Sequence, residues 1–162
     1  MINIKLICVG SFKEKYLKEM NAEYLKRLSK YCKFETIELK DEKLPDNLNP
    51  SNAEIIKQKE AQNIIFKLNN ISNPYVFVLD ETGKEYTSYE FAKKIEKLPV
   101  LGNSTIVFII GGSLGLTDEV RKLSNEVISF SKLTYPHQLI RVFLLEQLFR
   151  CFKINNNEAY HH

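Results

Sequence analysis

The sequence predicts an α/β domain: a mostly parallel sheet flanked by helices. Three observations carry that prediction. Short apolar runs alternate with stretches of helical periodicity from one end of the chain to the other. Thr105 to Ile110 is an unbroken β-branched and aromatic run, the pattern of a strand buried on both faces. Gly111 follows that run directly, and a glycine at a strand end is where open parallel sheets make room for a ligand.

Taken in order, Ile2 to Val9 reads as a strand stopped by Gly10-Ser11, and Lys13 to Tyr31 as a helix with Tyr16, Met20, Tyr24 and Leu28 at helical spacing. Phe34, Ile37 and Leu39 suggest a second strand. Asp41 to Pro50, with two prolines, is a connecting loop. Ser51-Asn52-Ala53-Glu54 has capping-box form and opens a helix through Ile55, Ile56, Ile64, Ile65 and Leu68. Tyr75 to Leu79 is the third strand, and Thr82-Gly83-Lys84 turns the chain. Thr87 to Glu90 repeats the capping pattern before a helix carrying Phe91, Ile95 and Leu98 and stopping at Pro99. After the Thr105 to Ile110 strand, Thr117 caps a short helix, Glu126 to Ser129 is a brief fifth strand, and Pro136 in the first turn opens the final helix. That helix is apolar on more than one face, from Leu139 to Phe152. It requires two burying partners, and a second copy of the chain is the economical choice for one of them.

The 162 residues suit one domain, residues 1–162. Hydrophobic residues at 44% and charged residues at 27% point to neither a disordered nor a membrane-embedded class. No apolar run approaches bilayer length, so no membrane partner is expected. The net charge of +3 is too small to announce a nucleic-acid binder by itself. Lysines and glutamates interleaved between Lys13 and Lys33 read as a solvated helix face. Cys8, Cys32 and Cys151 are far apart and unpaired in pattern, which suggests neither a disulfide framework nor a metal site. Lys5 interrupts the first apolar run, which argues against a secretory signal, and a cytoplasmic location is the expectation.

Chemistry concentrates in the C-terminal half. Gly111-Gly112-Ser113-Leu114-Gly115 and the polar stretch from Ser129 to His137 are two loops at strand ends, and a proline-terminated loop at a helix start leaves amides free for a ligand. A dinucleotide fingerprint needs glycines at offsets zero, two and five, whereas these stand at zero, one and four. The acidic residue expected some twenty positions later is replaced by Phe130-Ser131-Lys132. No phosphate-binding G-x-x-x-x-G-K-[ST] loop is present. A bare structural turn remains open for Gly111 and Gly112.

Ile109 to Leu116, then Ser129 to His137, then Arg141-Val142-x-Leu144-x-Glu146-Gln147-x-Phe149-Arg150, and the tail Ala159-Tyr160-His161 resemble the ribosomal RNA large-subunit methyltransferase H family over the whole chain. The family tail continues with Lys or Arg where this chain has His162. The resemblance implies a C-terminal trefoil knot, a homodimer, S-adenosyl-L-methionine as cofactor, and methylation of N3 of a pseudouridine in 23S ribosomal RNA of the large subunit or 70S ribosome. It also implies that Leu79, Gly111, Phe130, Ser131, Lys132, Leu133, Thr134 and Tyr135 enclose the cofactor. His137 is implied as the base or its orienter, Arg141 as a holder of phosphate or imide anion, and Tyr160 and His161 as completing the site. A ribosome-binding module without catalysis and a nucleotide-dependent enzyme of another class are the competing expectations.

Overall fold

The computed structural model describes residues 1–162. Its elements run β1 (Ile2–Val9), α1 (Lys15–Leu28), β2 (Cys32–Leu39), α2 (Pro50–Asn69), β3 (Tyr75–Glu85), α3 (Ser88–Val100), β4 (Thr105–Ile110), α4 (Asp118–Leu123), β5 (Glu126–Ser129) and α5 (His137–Asn155). One five-stranded sheet has the order β2-β1-β4-β3-β5, and every pairing is parallel. The chain reaches β4 at the centre and then steps back past β3 to β5 at the edge. That reversal gathers the carboxyl ends of β3, β4 and β5 in one place, where ligands bind in open parallel sheets.

Side chains alternate between two cores. Ile4, Leu6, Phe77, Phe108 and Ile110 face α1, α3 and α5, while Ile7, Val9, Val76, Val78, Val107 and Ile109 face α2 and α4. Phe108 stacks on Phe77 at 5.1 Å between ring centres, and Phe91 meets both edge-on. The buried thiols of Cys8, Cys32 and Cys151 are raised by desolvation to about 11, 12 and 12, so all three stay protonated and unreactive near neutrality.

Several local expectations are corrected. The expected α1 stripe holds in its second half, where Leu28 is buried and Tyr24 packs against the core, but not in its first, where Leu17 is buried while Tyr16 and Met20 are exposed. The α2 cap is Asn49 rather than Ser51, because Pro50, lacking an N–H, fits the first helical position. Asn49 and Asn52 then cap each other's backbone amides. Pro99 lies inside the last turn of α3, and Pro136 is the N-cap of α5 rather than a first-turn residue. The Thr87–Glu90 box and the Thr117 cap form as read.

The Thr82-Gly83-Lys84 turn is instead a bulge within β3. Leu79 and Lys84 both pair with Ile128, so residues 80–83 leave the ladder. A Cβ on Gly83 would lie 2.6 Å from the carbonyl carbon of Ile128, so only glycine lets the two backbones close again at this point.

The extra apolar faces of α5 find most of their cover within the chain. Leu144, Leu145, Leu148 and Phe149 pack on the sheet and on α1 and α3, and Val142 packs on Phe12 and Leu17. The helix therefore does not by itself require a second copy of the chain.

Candidate active site

The ends of β3, β4 and β5 open into a cleft of about 760 Å³, within the range of small-molecule sites. Seven of the eight residues proposed from the sequence to enclose a cofactor line it: Leu79, Gly111, Phe130, Ser131, Leu133, Thr134 and Tyr135. Lys132 does not, its side chain being exposed outside the cleft. Apolar walls come from Leu79, Ile110, Leu116, Phe130 and Ile140. Leu133, 69% exposed, is an apolar side chain left without cover at the mouth.

Each loop has a local reason for its shape. Ser129 Oγ accepts from the amide of Ser131 and donates to its carbonyl, and Ser131 Oγ accepts from the amide of Leu133, so consecutive serine turns bend the 129–133 segment. The amides of Lys132, Thr134 and Tyr135 have no acceptor within the chain. The glycine loop closes through Gly115 N–H to the carbonyl of Gly112 at 3.0 Å, with Gly115 at φ +84°. Gly111 provides clearance for Leu116, whose side chain would lie 2.8 Å from an added Cβ. On the other side of the loop, the buried Glu60 carboxylate stands 3.1 Å from the place of a Gly112 Cβ. Burial raises the pKa of Glu60, the amide of Glu42 opposes that by hydrogen bonding, and Asp41 and Glu42 add to the rise.

The four residues assigned to chemistry are not brought together in one protomer. His137 lines the cleft at the start of α5. Burial lowers its pKa below the ordinary 6.5, Asp41 pulls the other way, and the Arg141 and Lys13 charges lower it further. At neutral pH its imidazole is uncharged and can accept a proton.

Arg141, one turn on, is 2% exposed and points away from the cleft. It donates to the carbonyl of Gly10 at 3.3 Å and to Glu38 Oε2 at 2.9 Å, and its guanidinium sits 4.0 Å from the Phe12 ring centre. The sequence assigned it to phosphate or an imide anion, but these intrachain partners occupy it as a tie between β1, β2 and α5.

Tyr160 and His161 also lie outside the cleft. The Tyr160 hydroxyl donates to Glu146 Oε1 at 3.0 Å, and its ring packs edge-on against Phe149. His161 Nδ1 is 3.1 Å from Arg150 Nη1, and its ring meets Tyr89 edge-on. The tail is thus docked on α5 and α3.

Asp80, Glu81, Thr82 and Arg121 line the cleft without having been singled out by the sequence. The glycine between Thr82 and Lys84 was the available signal; it suggested a turn, and the bulge it produces turns three polar residues inward. Beside the cleft, and sharing Phe130 and Tyr135 with it, runs a second groove lined by Met20, Tyr86, Val142 and Phe143.

A family model described as a predicted SPOUT methyltransferase matches residues 2–161. Curated relatives named "Ribosomal RNA large subunit methyltransferase H" are 48% identical in Lactobacillus delbrueckii subsp. bulgaricus and 51% in Bacillus anthracis, each over 160 residues and 99% of both chains. A Clostridium perfringens relative named "Ribosomal RNA large subunit methyltransferase H 1" is 52% identical over the same span. Among solved structures, a tRNA (m1G37) methyltransferase from Aquifex aeolicus superposes with a TM-score of 0.53 at 14% identity, covering 91% of this chain and 69% of that one. A probable methylase family protein from Haemophilus influenzae gives 0.54 at 13%, covering 98% and 70%. These two likenesses concern the fold alone. With half its residues identical to those relatives over nearly its whole length, the chain belongs to the SPOUT methyltransferases and, within them, to the ribosomal RNA large subunit methyltransferase H family.

Proposed function

We propose that this chain uses S-adenosyl-L-methionine to methylate N3 of a pseudouridine in 23S ribosomal RNA, as a homodimer acting on the assembled ribosome in the cytoplasm. The observation that carries this reading is the meeting of the glycine loop, the serine-turned 129–135 loop and His137 around one cleft. The family's knotted C-terminal half is the expected setting of that cleft.

The residues present fit an adenosyl cofactor. Leu79, Phe130 and Leu133 offer apolar faces for a flat base, and the unpaired amides of Thr134 and Tyr135 offer donors at its edge. When bound, the cofactor supplies a methyl group on a sulfonium, and transfer forms the N3–CH3 bond while the S–CH3 electron pair returns to sulfur. The chain has to hold the acceptor in line and to take the imide proton. His137, neutral at working pH and at the cleft wall, receives that N3 proton on a ring nitrogen.

The second groove supports the homodimer. Met20 is an exposed apolar side chain, and Phe143 holds Tyr135 edge-on at 5.6 Å, so this apolar surface runs into the cleft wall. Glu146, the partner of Tyr160, lines the same groove. A second copy seated there would carry its tail toward this cleft, giving Tyr160 and His161 a route to the site that one protomer does not offer.

The test is incubation with methyl-labelled S-adenosylmethionine and ribosomes lacking the modification, beside naked ribosomal RNA, followed by nucleoside analysis. Label on N3 of a pseudouridine, with ribosomes preferred, is the expected result. Cofactor binding without label would overturn the acceptor assignment. Absence of cofactor binding would leave the non-catalytic ribosome-binding module.

A further inference from the structure

The bulge in β3 adds a carboxylate to the cleft that no motif announces. Two acidic side chains line the cleft, Asp80 and Glu81, and they differ in what they have left to offer. Asp80 is used up. Its Oδ1 accepts from the amide of Thr82 at 2.9 Å and from the Thr82 hydroxyl at 2.7 Å. Its Oδ2 accepts from Arg121 Nε at 3.0 Å and Nη2 at 2.7 Å. A carboxylate has about four acceptor positions, and all four are filled. Its charge is matched by Arg121, which Asp118 holds from the other side at 2.9 Å.

Glu81 has one partner only. Thr134 Oγ1, on the opposite wall, donates to Glu81 Oε2 at 2.5 Å. No cation pairs with Glu81, so its charge and most of its acceptor positions are left open to an occupant of the cleft. The bond to Thr134 spans the two walls and aims the carboxylate across the opening.

The occupant's chemistry follows from the neighbours. Thr134 is itself one of the residues with a free amide, and Leu79 and Leu133 are the apolar faces on either side. A purine held by those faces and amides would have its ribose within a cleft whose wall Glu81 and Thr134 form together. A vicinal diol offers two hydroxyl donors at a spacing that one carboxylate accepts together, and an acidic side chain at a strand end is a general way to hold a ribose.

We propose that Glu81 is a specificity residue that accepts the ribose hydroxyls of the cofactor's nucleoside, aimed by Thr134. This rests on the adenosyl-cofactor reading above. Asp80 and Arg121 act as the fixed base of the bulge, and Gly83 is the point at which the bulge rejoins β5.

Calorimetric binding of S-adenosylhomocysteine and of its 2′-deoxy and 3′-deoxy counterparts, to the wild-type chain and to Glu81→Gln and Glu81→Leu, tests the proposal without requiring turnover. The wild type should lose about tenfold or more in affinity when a hydroxyl contacted by the carboxylate is removed. Both variants should weaken the ribose ligand by a similar factor and leave the affinity for that deoxy ligand nearly unchanged. Thr134→Val should fall between wild type and variant. Equal weakening of ribose and deoxy ligands, or no weakening at all, would overturn the assignment while leaving the cofactor reading intact. A wild-type chain that does not bind S-adenosylhomocysteine removes the cofactor reading and this assignment with it.

Discussion

Gly83→Ala places a single methyl group where the architecture of the cleft is least tolerant. The added carbon would lie 2.6 Å from the carbonyl carbon of Ile128, 2.7 Å from its nitrogen and 2.7 Å from the carbonyl carbon of Val127, all backbone atoms of β5. Ordinary contact begins near 3.4 Å, so β3 and β5 must part by about 0.8 Å. Strand bonds near 2.9 Å would stretch beyond useful length, and losing two of them at about 1 kcal/mol each, with about 1 kcal/mol of overpacking, gives about 3 kcal/mol. For a chain of this size that is a fall in melting temperature of about 6–12 °C. The edge position of β5 allows it to move, which is why a fold weakened but still formed is expected. Gly115→Ala is the matched control: its φ of +84° is unfavourable to alanine, but nothing stands within 4 Å, so only conformational strain of about 1–2 kcal/mol applies. Calorimetric melting of both variants, with S-adenosylhomocysteine affinity measured below the transition, decides the matter. A Gly83→Ala chain that melts within about 2 °C of the wild type, or a Gly115→Ala chain that proves the more damaged of the two, would refute a backbone clash at residue 83.

Arg141→Met should act on stability more than on RNA. It strips donors from the Gly10 carbonyl and from Glu38; the latter is 41% exposed and can rehydrate, so the cost is about 2 kcal/mol rather than that of a fully buried pair. Urea unfolding should show a lower midpoint at unchanged ribosome affinity, and the converse pattern would restore the role in phosphate binding. His137 has a folded pKa below its unfolded 6.5, because burial disfavours the charged ring. The unfolded chain therefore binds more protons in the window just below 6.5, and stability should rise with pH through that window and level off above it. His137→Gln should flatten this slope, and the acid limb of wild-type turnover should fall below 6.5; an acid limb above 6.5 would separate His137 from the proton transfer. Phe143→Asp, placing a charge in the apolar groove beside the cleft, should shift the chain from dimer to monomer in sedimentation at micromolar concentration. A wild type that sediments as a monomer would end the dimer proposal.

The strand and helix order was legible because periodicity is a local property. Thr105–Ile110 and Glu126–Ser129 form with the limits read from their residues, since a β-branched run ended by glycine or polar residues has few alternatives. The two site loops were legible for a related reason: glycines, and a polar stretch ending in a proline at a helix start, announce a backbone that leaves regular structure, and the cleft is where the two loops meet. What the sequence by itself determined about this protein is therefore the α/β class, the loops that carry the site, and the family that their motifs resemble.

Tertiary structure alone decided the facing of individual side chains. Arg141 shares a helix face with His137 at four-residue spacing, yet Gly10, Phe12 and Glu38, more than a hundred positions earlier, turn it into the core. Tyr160 and His161 are held by Glu146, Arg150 and Tyr89, away from the cleft of their own protomer. The Thr82-Gly83 signal has two local solutions, turn or bulge, and only the Ile128 backbone lying against Gly83 selects the bulge that brings Glu81 to the cleft. Periodicity fixes which face of an element a residue occupies. What that face meets depends on partners far away in the chain, and no local pattern encodes them.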